Sequence, residues 1–272
     1  IIVYEKTQEL LAASKNTHEK IKGVAGSGKT TVLAKRATNA HKRHGGNVLI
    51  LTYNITLKSY VHDKISDIRE NFSWNTFVIT NYHQLITQTL NQQSLVIDFE
   101  KKPPNKTTSE YLEMHYANPD IFKTVVDKEI YKYETILIDE IQDYKPEWIR
   151  IIRSYFLEKD GEMVLFGDEK QNIYQHELDE KKETRIPNGF GGWKKLIKPI
   201  RYKKNSNILK LVMSFQKEYF NKDYNIDENE ENSNQIDLVG FGLNKIRTYS
   251  SDDLRCLSST IIKNIKDENI HP

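Results

Sequence analysis

A single cysteine, Cys256, stands among 272 residues. No internal disulfide framework is therefore available, and a reducing compartment, hence a cytoplasmic location, is the expectation. Apolar residues never run long enough for a membrane span, and the opening residues IIVYEKTQEL lack the layout of a signal peptide, so no membrane partner is expected. Net charge is scarce too, at +2 from 40 basic and 38 acidic residues. Any nucleic-acid surface must come from local clustering rather than from overall charge. What remains, 38% hydrophobic and 29% charged, is the composition of a soluble globular protein, long enough for one large or two modest domains. The chain begins without Met and ends at NIHP, so an excerpt of something longer is expected; composition sets no oligomeric state.

Glycine is concentrated where it matters. In IKGVAGSGKTTVLAKRA, residues 21–37, Gly23, Gly26 and Gly28 precede Lys29, Thr30 and Thr31. Without a Cβ the backbone can curl with its N–H groups inward, around the oxygens of a polyphosphate. The helix expected from about Lys29 to His44, stopped by Gly45 and Gly46, turns its free N–H groups and positive dipole end to the same anion. In this G-x-x-x-x-G-K-T spacing, Lys29 reaches the outer phosphates, Ser27 lies within the loop, and the Thr30 hydroxyl binds Mg²⁺. The bland alternative is a glycine-rich turn before an ordinary helix. ATP and Mg²⁺ are the cofactors this loop implies.

Around the loop, strand-like and helix-like segments alternate. NVLILTYN, FVIT, ETILIDE and EMVLFGD are apolar runs of strand length, and Leu57, Val61, Ile65 and Ile68 recur at helical spacing. PEWIRIIRSYFL reads as a helix with Pro146 at its start and Trp148, Ile152 and Phe156 on one face. Such alternation predicts an α/β fold, a parallel sheet covered by helices on both faces, with functional residues at the carboxyl ends of the strands. EKKPPNKTTSE reads as a loop or the start of a small insertion, and NKDYNIDENEENSNQ as a solvated acidic loop. Beyond it, QIDLVGF reads as a strand and DDLRCLSSTIIKNIK as a helix, the opening of a second α/β unit.

The phosphate loop needs a carboxylate for its metal, and ILIDEIQD offers one. Asp139 ends an apolar run where its side chain emerges at the carboxyl edge of the sheet, suited to Mg²⁺; Glu140 follows, placed to polarise a water attacking the γ-phosphate. Two adjacent acids ending a strand are also common in proteins generally.

DEIQD at 139–143 followed by GDEKQNIYQ at 167–175 resembles motifs II and III of the UvrD/Rep-type superfamily 1 helicases, with the glycine loop as motif I. Gln8 in YEKTQELL resembles the adenine-reading glutamine of that family, whose amide can both donate and accept. LILTYNITLKSY resembles motif Ia, ITNYHQLI the T-[FY]-H-x-L element after it, and IRYKKNSNILKLVMSF motif IV. The resemblance covers most of residues 1–215. It implies a RecA-like P-loop NTPase domain over residues 1–195, with a short insertion near 91–120, and the beginning of a second RecA-like domain over 196–272. It also implies an ATP-driven motor on single-stranded DNA, moving 3′ to 5′, with RNA left open as the strand. Gln171 would sense the γ-phosphate; Tyr53, Asn54, His83, Tyr174 and His176 would lie along the strand's track, though an aromatic or histidine at a strand end is often only half-buried packing. Tyr202 takes the adenine-stacking place.

Three departures stand out. Register from Ile208 puts Lys203 where the family has arginine, so either Lys203 neutralises the γ-phosphate as a point charge or Arg201 takes over. His176 replaces a tryptophan, and motifs V and VI have no match. A basic cluster in WKKLIKPIRYKK is either a phosphate-tracking surface or a solvated face. Two other readings remain beside the motor: a UvrD-like nucleotide switch that gates a protein or nuclease partner, and a small-molecule phosphotransferase, which leaves motif III unexplained.

Overall fold

A computed structural model describes residues 6–23, 26–68, 71–125, 130–168 and 184–196. Six strands form one sheet: β1 (His18–Gly23), β2 (Val48–Leu51), β3 (Phe77–Thr80), β4 (Tyr133–Ile138), β5 (Leu157–Gly167) and β6 (Trp193–Leu196), in the order β3-β2-β4-β5-β1-β6. Every pairing is parallel. This is the RecA-like arrangement, with the phosphate-loop strand β1 separated from β4 by β5.

Alternation along each strand feeds two cores. Val48 and Ile50, Leu137, and Val164 and Phe166 pack under α1 (Lys6–Ala12), α2 (Lys29–His44) and α3 (Ile55–Ser66). Their neighbours Leu49 and Leu51, Ile136 and Ile138, and Met163 and Leu165 pack on the opposite face against α4 (Tyr82–Gln92) and α6 (Pro146–Ile151). A side-chain period of two with apolar residues on both faces is what makes these strands continuous apolar runs. The fold expected from the sequence is the one observed.

Some boundaries differ from the sequence reading. The helix begun by Pro146 ends at Ile151 and loosens into a π turn, Ile152–Phe156, before β5 starts directly at Leu157; Trp148, Ile152 and Phe156 are all buried as anticipated. Strand β5 is thus longer than EMVLFGD, with exposed residues at 158–160 where its register against β4 shifts. Ile68 falls just beyond the end of α3 yet still packs against the core. Within the 91–120 stretch lies α5 (Thr108–Tyr116), started by a capping box in which Thr107 and Glu110 each accept from the other's backbone N–H. Lys194 and Lys195, read as part of a basic cluster, sit in edge strand β6, and Lys194 donates to Glu19 at 2.6 Å. Residues 197–272, including the expected second domain, lie outside the described residues.

Candidate active site

Strands β4, β5 and β1 are neighbours, so their carboxyl ends place three chain segments side by side. The first is the glycine loop. Gly26 and Gly28 have φ of 80° and 87°, a left-handed backbone that glycine adopts without strain. Gly23 has no room for a side chain: a Cβ there would sit 2.5 Å from Ser27 Oγ and 2.8 Å from Leu196 Cβ. Helix α2 follows with Gly28 as its N-cap and no side chain capping it, so its first N–H groups are left for an anion. Ser27 Oγ is buried without a hydrogen-bond partner among the described residues. A polar loop with unfilled donors next to a helix N-terminus fits a polyphosphate.

Lys29 is buried at the loop, donating to the Gly23 carbonyl at 2.7 Å and lying 3.6 Å from Asp168 at the end of β5. Thr30 and Thr31 are half-buried in the first turn of α2, and Thr30 Oγ1 is 3.5 Å from Asp139 Oδ2. Gln8, in α1, is buried against the same loop and donates to the Ser27 carbonyl at 3.2 Å. Every described residue expected at the nucleotide site is therefore gathered in one place; Arg201, Tyr202 and Lys203 lie outside the described residues.

Burial, reinforced by the neighbouring Glu140 charge and opposed by Lys29, raises the Asp139 carboxyl above its ordinary range. A carboxylate under that strain is stabilised by a cation. No cluster of three His, Cys, Asp or Glu side chains among the described residues could hold a metal by itself. The donors present, one carboxylate and one hydroxyl, fit Mg²⁺ arriving with a nucleotide, whose phosphates and water complete an oxygen shell.

Glu140 has φ 51° and ψ 51°, a conformation that costs a non-glycine residue on the order of 1–3 kcal/mol. The bend sends Ile141 into the core and lets Gln142 reach both ways: its amide nitrogen donates to Glu140 Oε2 at 2.7 Å and its amide oxygen accepts from the Asp168 N–H at 3.0 Å. The site's carboxylate is thereby fastened to the end of β5, where the segment containing Gln171 begins. No role follows from the sequence for Gln142 or Asp168; both lie in the segments that resemble motifs II and III, and Asp168 is a polar residue directly after an apolar strand. Asp143 is buried with Oδ1 unpartnered among the described residues, and burial together with the Glu140 charge pushes its carboxyl up to about 6. Gln171, Tyr174 and His176 lie outside the described residues.

The residues expected along a nucleic-acid track reach the same carboxyl rim, beyond β2 and β3, but are engaged there. Tyr53 packs edge-on against Tyr144, ring centroids 6.1 Å apart. Asn54 caps α3, its side chain accepting from Thr56 N–H at 3.0 Å. His83 pairs with Glu113 of α5 at 3.2 Å and meets Trp148 edge-on at 4.9 Å.

Together the parallel sheet, the uncapped glycine loop and the Lys29, Asp139 and Glu140 cluster define a P-loop nucleoside triphosphatase domain. The AAA domain family matches residues 7–177, and the chain belongs to that family. No curated protein matches it. Among solved structures it is similar to the Pif1 helicase from Candida albicans, at 14% identity over 79% of this chain and 44% of that one, with a TM-score of 0.43. Pif1 from Bacteroides bound to ssDNA matches at 16% identity over 100% and 57%, with a TM-score of 0.40. The UvsW helicase from bacteriophage T4 matches at 14% identity over 61% and 53%, with a TM-score of 0.39. The chain thus spans about half the length of the solved structures it matches.

Proposed function

We propose that this chain is the ATP-hydrolysing core of a superfamily 1 helicase, of UvrD/Rep type, that moves along single-stranded DNA from 3′ to 5′. The observation that carries the reading is the link from Glu140 through Gln142 to Asp168: it fastens the hydrolytic carboxylate to the root of the segment resembling motif III. A plain phosphotransferase has no use for that connection.

In this reading the loop N–H groups and Lys29 hold and neutralise the phosphate oxygens. Thr30 and Asp139 would hold Mg²⁺, which would supply charge neutralisation at the phosphates. Glu140 accepts the proton of the attacking water, and Gln171 reports loss of the γ-phosphate to a strand lying across Tyr53, Tyr174 and His176. A second RecA-like domain from about residue 196 closes the cleft with Tyr202 and either Arg201 or Lys203. A cytoplasmic location goes with this role.

The nucleotide-switch alternative, in which closure gates a protein or nuclease partner, is favoured by one observation: Asn54 and His83 spend their side chains on a helix cap and an ion pair. ATP hydrolysis by the complete parent protein, titrated with single-stranded DNA and then RNA, separates the readings. DNA stimulation lost in Lys29→Ala supports the motor; Lys29-dependent turnover that ignores both nucleic acids supports the switch.

A further inference from the structure

Strand β3 is at one end of the sheet and pairs only with β2 among the described residues. Thr80 turns its carbonyl to β2, accepting from Thr52 N–H at 2.9 Å. By the alternation of a strand, Val78 faces the same way, and Phe77 and Ile79 turn their main-chain groups outward. The Phe77 N–H is used by the Trp74 carbonyl, which leaves the Phe77 C=O and both main-chain groups of Ile79 along the edge without a main-chain partner among the described residues. Exposed edges of this kind are ordinarily shortened, charged or covered, because they pair with other chains.

This edge is the floor of a groove of about 830 Å³. One wall is α3, with Lys58 and His62 one turn apart, extended by Trp74, whose ring stacks on His62 at 3.8 Å. The other is α4, with His83, Gln84, Thr87 and Gln88. No carboxylate lines the groove among the described residues, though two lining residues are paired with one: His62 with Asp63 and His83 with Glu113. Phe77 and Ile79 send their side chains to the α3 side and Val78 to the α4 side. A strand added here alternates in the same way, one set of side chains meeting Lys58, His62 and Trp74, the other meeting two amides, a hydroxyl and His83 with its Glu113 partner.

We propose that the open edge of β3 is a docking site for an extended acidic segment of a partner protein, which adds as a seventh strand with its carboxylates toward Lys58 and His62. Main-chain pairing supplies the affinity, and the Lys58 ammonium, with the His62 ring one turn along, selects the sequence. The site is separate from the nucleotide loop, so it stands or falls independently of the ATPase reading. A single-stranded nucleic acid also favours cationic and aromatic walls, but it offers nothing to the peptide donors and acceptors on the groove floor.

The test is fluorescence anisotropy with the full chain and a labelled, end-blocked hexapeptide of alternating Val and Glu. Saturable binding is expected, weakened about fivefold or more by the surface change Lys58→Glu, and lost both when Glu is replaced by Lys and when every peptide amide is N-methylated. Binding that survives N-methylation, or no binding, overturns the proposal. So does Lys58-dependent binding of labelled oligo-dT that the acidic peptide fails to displace, which assigns the groove to nucleic acid. A dimer in sedimentation that Lys58→Glu dissociates, without peptide binding, assigns the edge to a second copy and overturns it as well.

Discussion

The two ends of this sheet treat buried charge in opposite ways. At the amino end Arg36 is fully buried, yet its guanidinium reaches Glu162 at 2.7 Å, Glu19 at 2.9 Å and the Leu11 carbonyl at 2.9 Å. Glu162, also fully buried, accepts in addition from Thr135, Ser14 and the Lys15 N–H. At the carboxyl end Asp139 and Asp143 are raised by burial, Asp143 Oδ1 and Ser27 Oγ are unpartnered among the described residues, and Glu140 sits in a left-handed conformation. At one end the buried charges are paired within the chain, although Arg36 Nη2 and Thr17 Oγ1 make no hydrogen bond among the described residues. The other is held short of completion, which is the condition of a site that stabilises charge brought by a ligand.

The comparison breaks first at Arg36. Removing it leaves the buried Glu162 with only the longer Arg43 contact at 3.3 Å, so Arg36→Met is expected to cost about 3 kcal/mol in urea denaturation. A cost below about 1 kcal/mol would mean that the network is not what holds the amino end. At the other end the largest expected effect is on rate. Gln142→Ala frees Glu140 from Asp168, and a lost positioning contact of this kind is expected to reduce kcat for ATP hydrolysis about tenfold or more. Because the bonds of Gln142 go to Glu140 and the Asp168 N–H and none goes to the glycine loop among the described residues, nucleotide affinity measured by titration should stay close to that of the unaltered protein.

What could be read in advance follows from the range of the physics involved. The α2 boundaries, the covered parallel sheet and the glycine loop came from local periodicity and from glycine's backbone freedom, both written in consecutive residues. Strand β6 did not, because Trp-Lys-Lys-Leu reads as a basic cluster; only its pairing with β1 and the Lys194–Glu19 contact make it a strand. The Arg36–Glu162 pair joins residues 126 apart, a distance at which no sequence pattern operates. Gln8 is expected at the loop from the resemblance, and Lys29, Thr30, Asp139 and Glu140 from the glycine-loop spacing and the strand end; the fold brings these five together. Gln142 was not legible in advance, since its two bonds depend on the left-handed turn at Glu140. His83 was read from its motif, but its partner Glu113 belongs to α5, a helix that no motif describes.

Asp143 sharpens the contrast through pH. Its carboxyl is raised from 3.8 to about 6, so between those values the folded state holds a proton that the unfolded state has released. Stability attributable to this group therefore falls as pH rises through that window, and the charged form is a cost above it. Asp143→Asn should flatten the window and raise the Tm at pH 7 by about 2–4 °C; a lowered Tm would show that the carboxylate has a stabilising partner after all.

Glu113 should behave with the opposite sign and the smallest amplitude. Hydrogen bonds from His83 and then Lys145, opposed by partial burial, bring its carboxyl from 4.5 down to about 2. A depressed carboxyl contributes stability that is present above the unfolded value and is lost as pH falls from about 4.5 through about 2. Its half-exposed position and solvent screening keep the effect modest. Glu113→Gln is expected to shrink the drop in Tm between pH 5 and pH 3 by roughly a degree or two, while leaving Tm near pH 7 slightly lower. If the drop is unchanged, the His83–Glu113–Lys145 contact contributes nothing to stability. His83 would then be held to α5 only loosely, and its imidazole would be available to a strand crossing the rim.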